Sequence, residues 1–362
     1  MRRPPIGSCA LAALLASLSP AVAAEDARGV AWSAPATVQV GAEERRFTSR
    51  GAELGGTLLV PRRDTPVAAI VVTHSASSPL GDASLYDHLK TMLPALGIAV
   101  FSYDRRGSGR SGTVNAGGDF ALLADDAAAA VRSLKADPRI DPRRIGIWGL
   151  SQGGWIGPLA AARSSDVAFV VSVAAPVVTA DVQMIFSSTN HLKANGYSQA
   201  EIEQMVATRK AVDDYMRGTG SREAAQALID RAKTQPWFQY LYMGETVRDR
   251  SVSGWRKEIE NDPLTNLTAV TVPTLVLYGA NDAVVPVAES TKRLAAVAPK
   301  MPNMALHVVA GADHAMQMAA DEKTSLDPKH DGTERPDSAE YVAVLTRWLA
   351  ERGLAERGLV AD

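Results

Sequence analysis

The sequence predicts an α/β fold whose sheet is mostly parallel and carries helices on both faces. Apolar segments with strand character alternate with segments of helical periodicity along most of the chain, which is the pattern of parallel strands joined by helices. One of these segments, Val67–Val72, is apolar at every position, as expected for a strand that is buried on both faces. The chain has 362 residues, 46% of them hydrophobic, which suits one large domain with an insertion better than two equal domains.

The elements follow from the local patterns in chain order. Arg45–Ser49 and Gly56–Val60 have strand character and are separated by a turn at Gly51, which predicts an opening β-hairpin. Asp119 is a suitable N-cap for a helix that begins at Phe120. Helices are predicted over Leu85–Leu96, Phe120–Lys135 and Tyr341–Arg352. Strands are predicted over Val67–Val72, Ile98–Tyr103, Ile145–Trp148, Ala168–Val173, Thr274–Tyr278 and Ala305–Val309.

The interval from about Pro176 to Thr271 breaks this alternation, because it contains no convincing strand. Ser198 and Glu201 form a capping box ahead of an apolar stripe, Gly218 ends that helix, and Ser221 begins another. The sequence therefore predicts a helical cap over residues 176–271, inserted into a core that is formed by residues 25–175 and 272–362.

The N-terminus has the pattern of a secretory signal. Arg2 and Arg3 precede the apolar stretch Cys9–Leu18, and the small residues Ala21–Ala24 follow it. This predicts a signal peptide over residues 1–24 and an exported protein, periplasmic or secreted; the alternative is an N-terminus that stays attached. Cleavage would remove Cys9, the one cysteine of the sequence, so that neither a disulfide nor a thiol nucleophile would be left.

The pentapeptide Gly149-Leu150-Ser151-Gln152-Gly153 is the most informative motif of the chain. It follows a short apolar strand, Arg144–Trp148, and precedes an alanine-rich helical stretch, Trp155–Arg163. A G-x-S-x-G run between a strand and a helix is the signature of a nucleophile elbow, where the serine is exposed on a tight turn. Ser151 is therefore the predicted nucleophile, the alternative being a serine in an ordinary glycine-rich turn.

A serine hydroxyl needs a base that removes its proton, and the base needs a carboxylate that orients it. In elbow-type enzymes the acid and the histidine follow the serine in that order. His314 lies in a loop after the last predicted strand and is the predicted base. The other histidines after the elbow are His191 in the cap, His307 in an apolar strand pattern and His330 in a charged loop.

Asp282 is the predicted acid, because it follows the strand Thr274–Tyr278 and should reach the same edge of the sheet. A helix N-cap aspartate is the alternative role for Asp282. Asp313 is adjacent to the histidine and too tightly tethered to orient it. Asp104 ends a strand before the elbow, so its position in the chain order is wrong.

The oxyanion of the reaction needs preorganised N–H donors. The backbone N–H of Gln152, directly after the nucleophile, is the first predicted donor. The second should come from the loop after an early strand, where we predict the N–H of Ala76, with that of Ser75 as the alternative.

These pieces resemble the α/β-hydrolase superfamily, and within it the bacterial serine hydrolases described as carboxylesterases or peptidase-like hydrolases. The similar segments are the elbow at Ser151, Gly279–Asp282, Gly311–His314 and the D-x-R-G-x-G-x-S loop at Asp104–Ser111. The resemblance covers about Glu44 to Arg352 apart from the cap, and it implies an α/β-hydrolase fold in which the Asp104–Ser111 loop is architectural. Relatives often have His-Gly where this chain has His74-Ser75, so the second oxyanion donor departs from the family pattern.

The leading hypothesis is hydrolysis of a small-molecule carboxylic ester through an acyl-enzyme, with Ser151, Asp282 and His314 as the triad. A serine peptidase or amidase with the same triad is the alternative; Glu201 and Glu203 would then face the substrate amine, although their spacing also suits a solvated helix face. A non-catalytic binding protein on the same fold is a third hypothesis. The aromatic residues of the cap suit either an apolar acyl pocket or packing on the core: Trp237, Phe238, Tyr240, Tyr242 and Trp255.

Charge and composition narrow the partners. The formal net charge is -2 and no basic run stands out, so nucleic acid is not an expected partner. No stretch reaches the roughly 18 apolar residues of a membrane-spanning helix, so no stable membrane insertion is expected after signal removal. No cofactor is expected, and no clustered metal-ligand pattern is present in the sequence. The oligomeric state is not indicated by any of these patterns.

Overall fold

The computed structural model describes residues 38–112, 114–116, 118–326 and 335–355. The predicted signal peptide over residues 1–24 and the loop histidine His330 lie outside these residues.

A single eight-stranded sheet forms the centre of the molecule, with the strand order β1-β2-β4-β3-β5-β6-β7-β8. The pairs β1/β2 and β2/β4 are antiparallel, and all other neighbouring pairs are parallel. The strands are β1 (Val40–Ser49), β2 (Ala52–Pro61), β3 (Val67–Thr73), β4 (Ile98–Tyr103), β5 (Ile140–Leu150), β6 (Val170–Val173), β7 (Thr274–Gly279) and β8 (Met304–Val309).

Helices connect the parallel strands and extend the chain at its C-terminal end. The α-helices are α1 (Asp87–Ala95), α2 (Phe120–Leu134), α3 (Gln152–Arg163), α4 (Ala180–Ala194), α5 (Gln199–Arg217), α6 (Arg222–Ala232), α7 (Gly254–Glu260), α8 (Pro263–Thr268), α9 (Val287–Val297), α10 (Glu322–Ser325) and α11 (Ala339–Glu351). Short 3-10 turns occur at Ser84–Tyr86, Pro236–Leu241 and Ala298–Lys300. No helix in the described ranges has both the length and the apolar character needed to cross a membrane.

The two faces of the sheet bury separate apolar clusters, which confirms the predicted layer arrangement. On one face, Ala130 of α2 and Ile156 of α3 are buried with inward-facing residues of the sheet such as Val71. On the other face, Leu93 of α1 and Leu345 of α11 are buried together with Ile70. Because Ile70 and Val71 are consecutive in β3, their side chains point to opposite faces, so this strand is buried on both sides as its composition predicted.

Most predicted elements are confirmed within a few residues of their bounds. The strand before the elbow is longer than predicted, since β5 begins at Ile140 and pairs with Val67 across a register shift in β3. The polar residues Asp141, Arg143 and Arg144 concealed this part of the strand in the sequence. The strand predicted over Ala168–Val173 is shorter, because β6 begins at Val170.

The interval between β6 and β7 contains the helices α4 to α8 and no strand among its residues. We call the residues Ala180–Thr268 the helical segment. The predicted capping box at Ser198 and Glu201 is present at the start of α5. Gly218 ends α5 in the left-handed conformation with φ 85°, and the Ser221 side chain accepts from the Ala224 N–H at the start of α6. Residues of α5 and α6 are buried in the same cluster as α2 and α3.

Candidate active site

Ser151 occupies the sharp turn between β5 and α3. Its backbone has φ 56° and ψ -118°, a strained conformation for a residue with a side chain. The N–H of Ser151 donates to the carbonyl oxygen of Val173 at 2.8 Å, and the carbonyl oxygen of Ser151 accepts from the N–H of Gly154 at 2.9 Å. The neighbouring strand and the first turn of α3 therefore hold the serine in this conformation.

The glycines of the motif allow the backbones around Ser151 to approach closely. A Cβ on Gly149 would collide with the carbonyl group of Gly153, and a Cβ on Gly153 would collide with the carbonyl group of Thr73. The Thr73 hydroxyl donates to the carbonyl oxygen of Gly153 at 2.9 Å. The end of β3 and the start of α3 are thus in direct contact, which is possible only without side chains at these two positions.

Asp282 and His314 are brought together by a direct hydrogen bond. Nδ1 of His314 lies 2.8 Å from Oδ2 of Asp282. The Asp282 side chain has no exposed surface, whereas that of His314 is 20% exposed. Oδ1 of Asp282 accepts the backbone N–H groups of Val284 and Val285 at 2.8 and 2.9 Å. The carboxylate is therefore fixed by its own loop and offers its second oxygen to the imidazole.

The topology places these residues at the same edge of the sheet. Ser151 follows β5, Asp282 follows β7 and His314 follows β8, and these strands belong to a parallel run through β6. The carboxyl ends of parallel strands meet at one edge, which is where α/β sheets bind ligands. In the described part of the chain the Ser151 hydroxyl makes no hydrogen bond to His314.

The electrostatic surroundings of His314 favour its protonated form. Burial lowers the pKa of His314, but the charge and the hydrogen bond of Asp282 outweigh it, and Asp313 adds to them. The net effect is a pKa above the ordinary value for histidine. If His314 is the base, it is therefore protonated at a higher pH than an ordinary histidine, and activity should be lost at that higher pH when the solution is acidified.

The alternative acids have structural partners of their own. Oδ1 of Asp313 accepts the N–H groups of Ala315 and Gln317, each at 2.9 Å, and Oδ2 is paired with Arg335. Asp104 accepts the N–H of Gly81 at 2.9 Å and that of Arg110 at 2.8 Å. Both carboxylates stabilise their own loops through these hydrogen bonds, so neither is available to orient His314.

The alternative histidines are also engaged elsewhere. His307 lies on β8, at the edge of the sheet, where its Nε2 is 2.6 Å from Oε1 of Glu340. Nδ1 of His191 in α4 bonds the carbonyl oxygen of Ser187 at 2.9 Å. His314 alone among the described histidines after the elbow contacts Asp282.

The loop after β3 contains the predicted oxyanion donors. The N–H of Ser75 donates to the Tyr86 hydroxyl at 2.9 Å, so this alternative donor is occupied. The Arg105 guanidinium donates to the carbonyl oxygens of His74 and Ser75 at 2.9 and 3.1 Å. These contacts fix the peptide groups just before Ala76, while Gln152, as the first residue of α3, has an N–H without an acceptor inside the helix.

The contacts of Tyr86 and Arg105 were not found from the sequence. Arg105 belongs to the Asp104–Ser111 loop, whose glycines and arginines indicated an architectural role, but its acceptors lie about 30 residues away in the chain. Tyr86 lies in a 3-10 turn and has no motif around it that signals a functional contact.

Comparison with known proteins places this arrangement in a family. The family model Hydrolase_4, described as serine aminopeptidase S33, matches residues 64–321, which is more than half of the chain. The chain belongs to this family. It is accordingly a hydrolase of the α/β-hydrolase superfamily, which confirms the resemblance and the fold that the sequence predicted.

The names of individual relatives of this S33 hydrolase indicate several activities. The non-heme chloroperoxidase of Burkholderia pyrrocinia is 30% identical over 210 residues, which cover 54% of this chain and 68% of that protein. The thiohydrolase apmlB of Arthrinium phaeospermum is 35% identical over 132 residues, or 36% of this chain and 42% of that protein. An esterase from Pyrococcus furiosus has a similar fold, with a TM-score of 0.54 and 15% identity over 86% of this chain and 91% of that one.

A cavity of about 590 Å³ is lined mainly by residues of the helical segment of the S33 hydrolase. Its apolar lining includes Met184, Val212, Met216, Met243 and Trp255. The volume falls within the range of about 300–1,000 Å³ that is usual for small-molecule sites.

Three charged residues also line this cavity: Arg209, Arg248 and Glu258. Arg209 of α5 is only 1% exposed, and its guanidinium lies 5.1 Å from the centroid of the Trp255 ring. Glu258 of α7 lines the cavity together with Gly118, which precedes α2. Two residues after Gly118, the ring of Phe120 contacts that of Trp155 in α3 at a centroid distance of 5.6 Å. The lining includes no triad residue and neither predicted oxyanion donor, but the charge of Arg105, which donates to the carbonyl oxygens of His74 and Ser75, acts on Glu258.

Glu258 is the acidic residue of the cavity. Its carboxyl group has no hydrogen-bond partner among the described residues. Burial raises its pKa to about 7, and the charge of Arg105 opposes this only in part. The carboxyl group therefore titrates closer to neutral pH than an ordinary glutamate does, and no pattern in the sequence indicated this.

We expect Glu258→Gln to stabilise the protein at pH 8 and to leave its stability nearly unchanged at pH 5. The folded-state pKa of Glu258 is raised, so the stability gained from its protonated form is complete below about 4.5 and is lost as the pH rises through about 7. The neutral glutamine avoids this loss, by about 1–2 kcal/mol after allowance for solvent screening, or about 2–4 °C in Tm. Thermal unfolding at both pH values measures the difference.

The exposed Glu245 in the same helical segment provides the control, since Glu245→Gln should leave Tm the same at both pH values. A loss of stability in Glu258→Gln at pH 8 would show that the ionised carboxylate has a favourable partner, contrary to this argument.

No group of three or more His, Cys, Asp or Glu side chains in the described ranges is arranged to hold a metal ion.

Proposed function

We propose that this S33 hydrolase cleaves carboxylic esters through an acyl-enzyme, with Ser151 as nucleophile, His314 as general base and Asp282 as the orienting acid. The observation that carries the proposal is the 2.8 Å contact between Asp282 and His314, at the edge of the sheet where the strained Ser151 ends β5. Hydrogen bonds of a catalytic base are often long in the free enzyme and tighten with substrate, which is compatible with the absence of a Ser151–His314 hydrogen bond among the described residues.

The proposed reaction has two steps, acylation of Ser151 and hydrolysis of the acyl-enzyme. His314 Nε2 takes the proton of the Ser151 hydroxyl while Oγ attacks the ester carbonyl carbon, and the N–H groups of Gln152 and Ala76 stabilise the oxyanion. The tetrahedral intermediate collapses, the alkoxide leaves with the proton from His314, and the acyl group remains on Ser151. Water then attacks the acyl carbon while His314 takes its proton; the second tetrahedral intermediate collapses, the acid is released and His314 returns the proton to Oγ of Ser151.

The cavity in the helical segment is the proposed binding site for the apolar part of the substrate. Its lining of methionines, Val212 and Trp255 suits an apolar acyl or aryl group, because flexible thioethers and aromatic faces adapt to such groups. Its volume of about 590 Å³ lies within the usual range of small-molecule sites, and short to medium acyl groups are the proposed substrates.

An aminopeptidase is the second candidate, and Glu258 is the observation that favours it. The family description names serine aminopeptidases, and an acid in the cavity is what a substrate ammonium group requires. The two cap acids that the sequence offered to a substrate amine have structural roles, since Glu201 belongs to the capping box and Glu203 accepts from Gln199 at the exposed surface. Arg209 and Arg248 line the same cavity, and their positive charges oppose the binding of an ammonium group there, so we rank the esterase first.

We expect p-nitrophenyl acyl esters to be hydrolysed with a kcat/KM at least about 100-fold above that of aminoacyl p-nitroanilides. The ester series, from acetyl to palmitoyl, should give its maximum at or below octanoyl. In Met216→Trp, the added ring occupies part of the cavity, so the optimum should move to a shorter acyl group, with about a tenfold loss for the longest chain that is accepted. Steady-state kinetics across the series measure both effects.

Val182→Trp is the matched control, because it adds the same bulk on α4 at a position that is 47% exposed, and it should leave the optimum unchanged. Anilide turnover above ester turnover would establish the peptidase instead. An unchanged optimum in Met216→Trp would exclude this cavity as the acyl site.

A further inference from the structure

The helical segment contacts the loop that carries Asp282 through two side-chain amides. Nε2 of Gln183 donates to the carbonyl oxygen of Val284 at 3.0 Å. Nδ2 of Asn190 donates to the carbonyl oxygen of Ala283 at 2.9 Å. Gln183 and Asn190 are seven residues apart in α4, or about two helical turns, so they project from the same side of that helix.

The two carbonyl groups that accept these bonds belong to the same peptide groups that hold Asp282. The carbonyl of Ala283 and the N–H of Val284 form one peptide group, and the carbonyl of Val284 and the N–H of Val285 form the next. Both N–H groups donate to Oδ1 of Asp282. Each peptide group therefore accepts from an amide of α4 on one side and donates to the carboxylate on the other.

Hydrogen bonds in such a chain strengthen one another. Donation to a peptide carbonyl polarises the group and makes its N–H a better donor, by roughly 10–30% per bond. Because Oδ1 of Asp282 is held in this way, Oδ2 remains directed at Nδ1 of His314, 2.8 Å away. The same contacts fix the loop in place, so that the orientation of the imidazole depends on residues of α4.

We infer that Gln183 and Asn190 are positioning residues, which orient and polarise the two peptide groups behind Asp282 and thereby act on His314. The inference rests on the proposed triad and adds a link from the helical segment to it. Neither residue touches the reacting atoms; their effect passes through the backbone of the acid loop. The contact of α4 with the loop of Asp282 is thus required for the full activity of His314.

The surroundings of His314 set the sign of the expected pH effect. The acidic groups that face it are Asp282 and Asp313; Asp313 is itself paired with Arg335, and its charge raises the pKa of Asp337. Asp282 is the larger of the two influences that raise the pKa of His314. A less firmly held Asp282 would raise that pKa less, so the acidic limb of the activity profile would move to lower pH.

The test uses Gln183→Met and Asn190→Leu, singly and together, because these replacements keep the approximate volume and remove the donor. With p-nitrophenyl butyrate, we expect kcat to fall about three- to tenfold per variant with KM within about twofold of the wild type, since one hydrogen bond behind the acid is lost. The acidic limb of the kcat/KM profile should move downward by about 0.3–1 pH unit in the double variant. Tm is recorded for every variant.

Asn195→Leu is the matched control. Asn195 caps the same helix and its Nδ2 donates to the carbonyl oxygen of His191 at 2.8 Å, without contact to the acid loop, so kcat and the acidic limb should stay unchanged. An unchanged kcat and limb in the single variants would overturn the inference, as would a fall of kcat that follows Tm and leaves the limb in place. A failed triad is distinguishable, because it would leave Ser151→Ala active, whereas a failed inference leaves only the α4 variants unaffected.

Discussion

Ser151→Ala is expected to lower kcat/KM for p-nitrophenyl butyrate by about 10⁴-fold or more, because the acyl-enzyme cannot form without the hydroxyl. The fold should be retained, since the turn at φ 56° is held by the contacts of its backbone with Val173 and Gly154, which alanine keeps. Steady-state kinetics and thermal unfolding of the same preparation test the two halves of this expectation.

Covalent labelling provides a second measurement of the same prediction. A fluorophosphonate should add once to the wild-type protein at Ser151, as seen by mass spectrometry of the peptides, and should not add to Ser151→Ala. Ser133→Ala serves as the control, because the Ser133 hydroxyl only donates to the carbonyl oxygen of Ala130 in its own helix, at 2.7 Å. An adduct on another serine, or more than a tenth of the activity left in Ser151→Ala, would mean that the nucleophile is wrongly assigned. A chain that is neither labelled nor active would support the binding-protein hypothesis.

Much of the fold could be predicted because its signals are local. The apolar run of β3, the capping box at Ser198 and Glu201 and the glycines around Ser151 each depend on a few consecutive residues. The order of the strands in the sheet was not predicted, since it depends on pairings such as that of β3 between β4 and β5. These pairings join residues that are far apart in the chain and similar in composition.

The same distinction applies to the site. The choice of Asp282 and His314 followed from their place after predicted strands, and the structure joins them, although the order of the chain alone does not establish that they act on Ser151. The amides of Gln183 and Asn190 were not predictable, because their acceptors lie 101 and 93 residues away. The sequence of a helix does not distinguish a side-chain amide that donates to a catalytic loop from one that faces solvent.

Asp282→Asn is expected to lower kcat by about 10⁴-fold while the fold is retained. The amide oxygen of the introduced asparagine would still accept the N–H groups of Val284 and Val285, which now bond Oδ1, so the amide NH₂ would face Nδ1 of His314. Two donors cannot share that contact, so Nδ1 would have to become the acceptor and the proton would move to Nε2. An imidazole with its proton on Nε2 cannot take the proton of Ser151.

The pH dependence of the residual activity gives an independent check on the same variant. Burial lowers the pKa of His314 and the carboxylate of Asp282 raises it above the ordinary value. Without that charge the lowering by burial dominates, so the acidic limb of the kcat/KM profile should move to lower pH in Asp282→Asn. Asp313→Asn is the matched control, because Asp313 is bonded to Ala315, Gln317 and Arg335, and we expect mainly a lower Tm with less than about a tenfold effect on kcat. Only the carboxylate bonded to His314 can both fix the tautomer and raise the pKa of the base. The assignment of the acid would therefore have to be changed if Asp313→Asn reduced kcat as much as Asp282→Asn does. It would also have to be changed if the acidic limb of Asp282→Asn moved to higher pH.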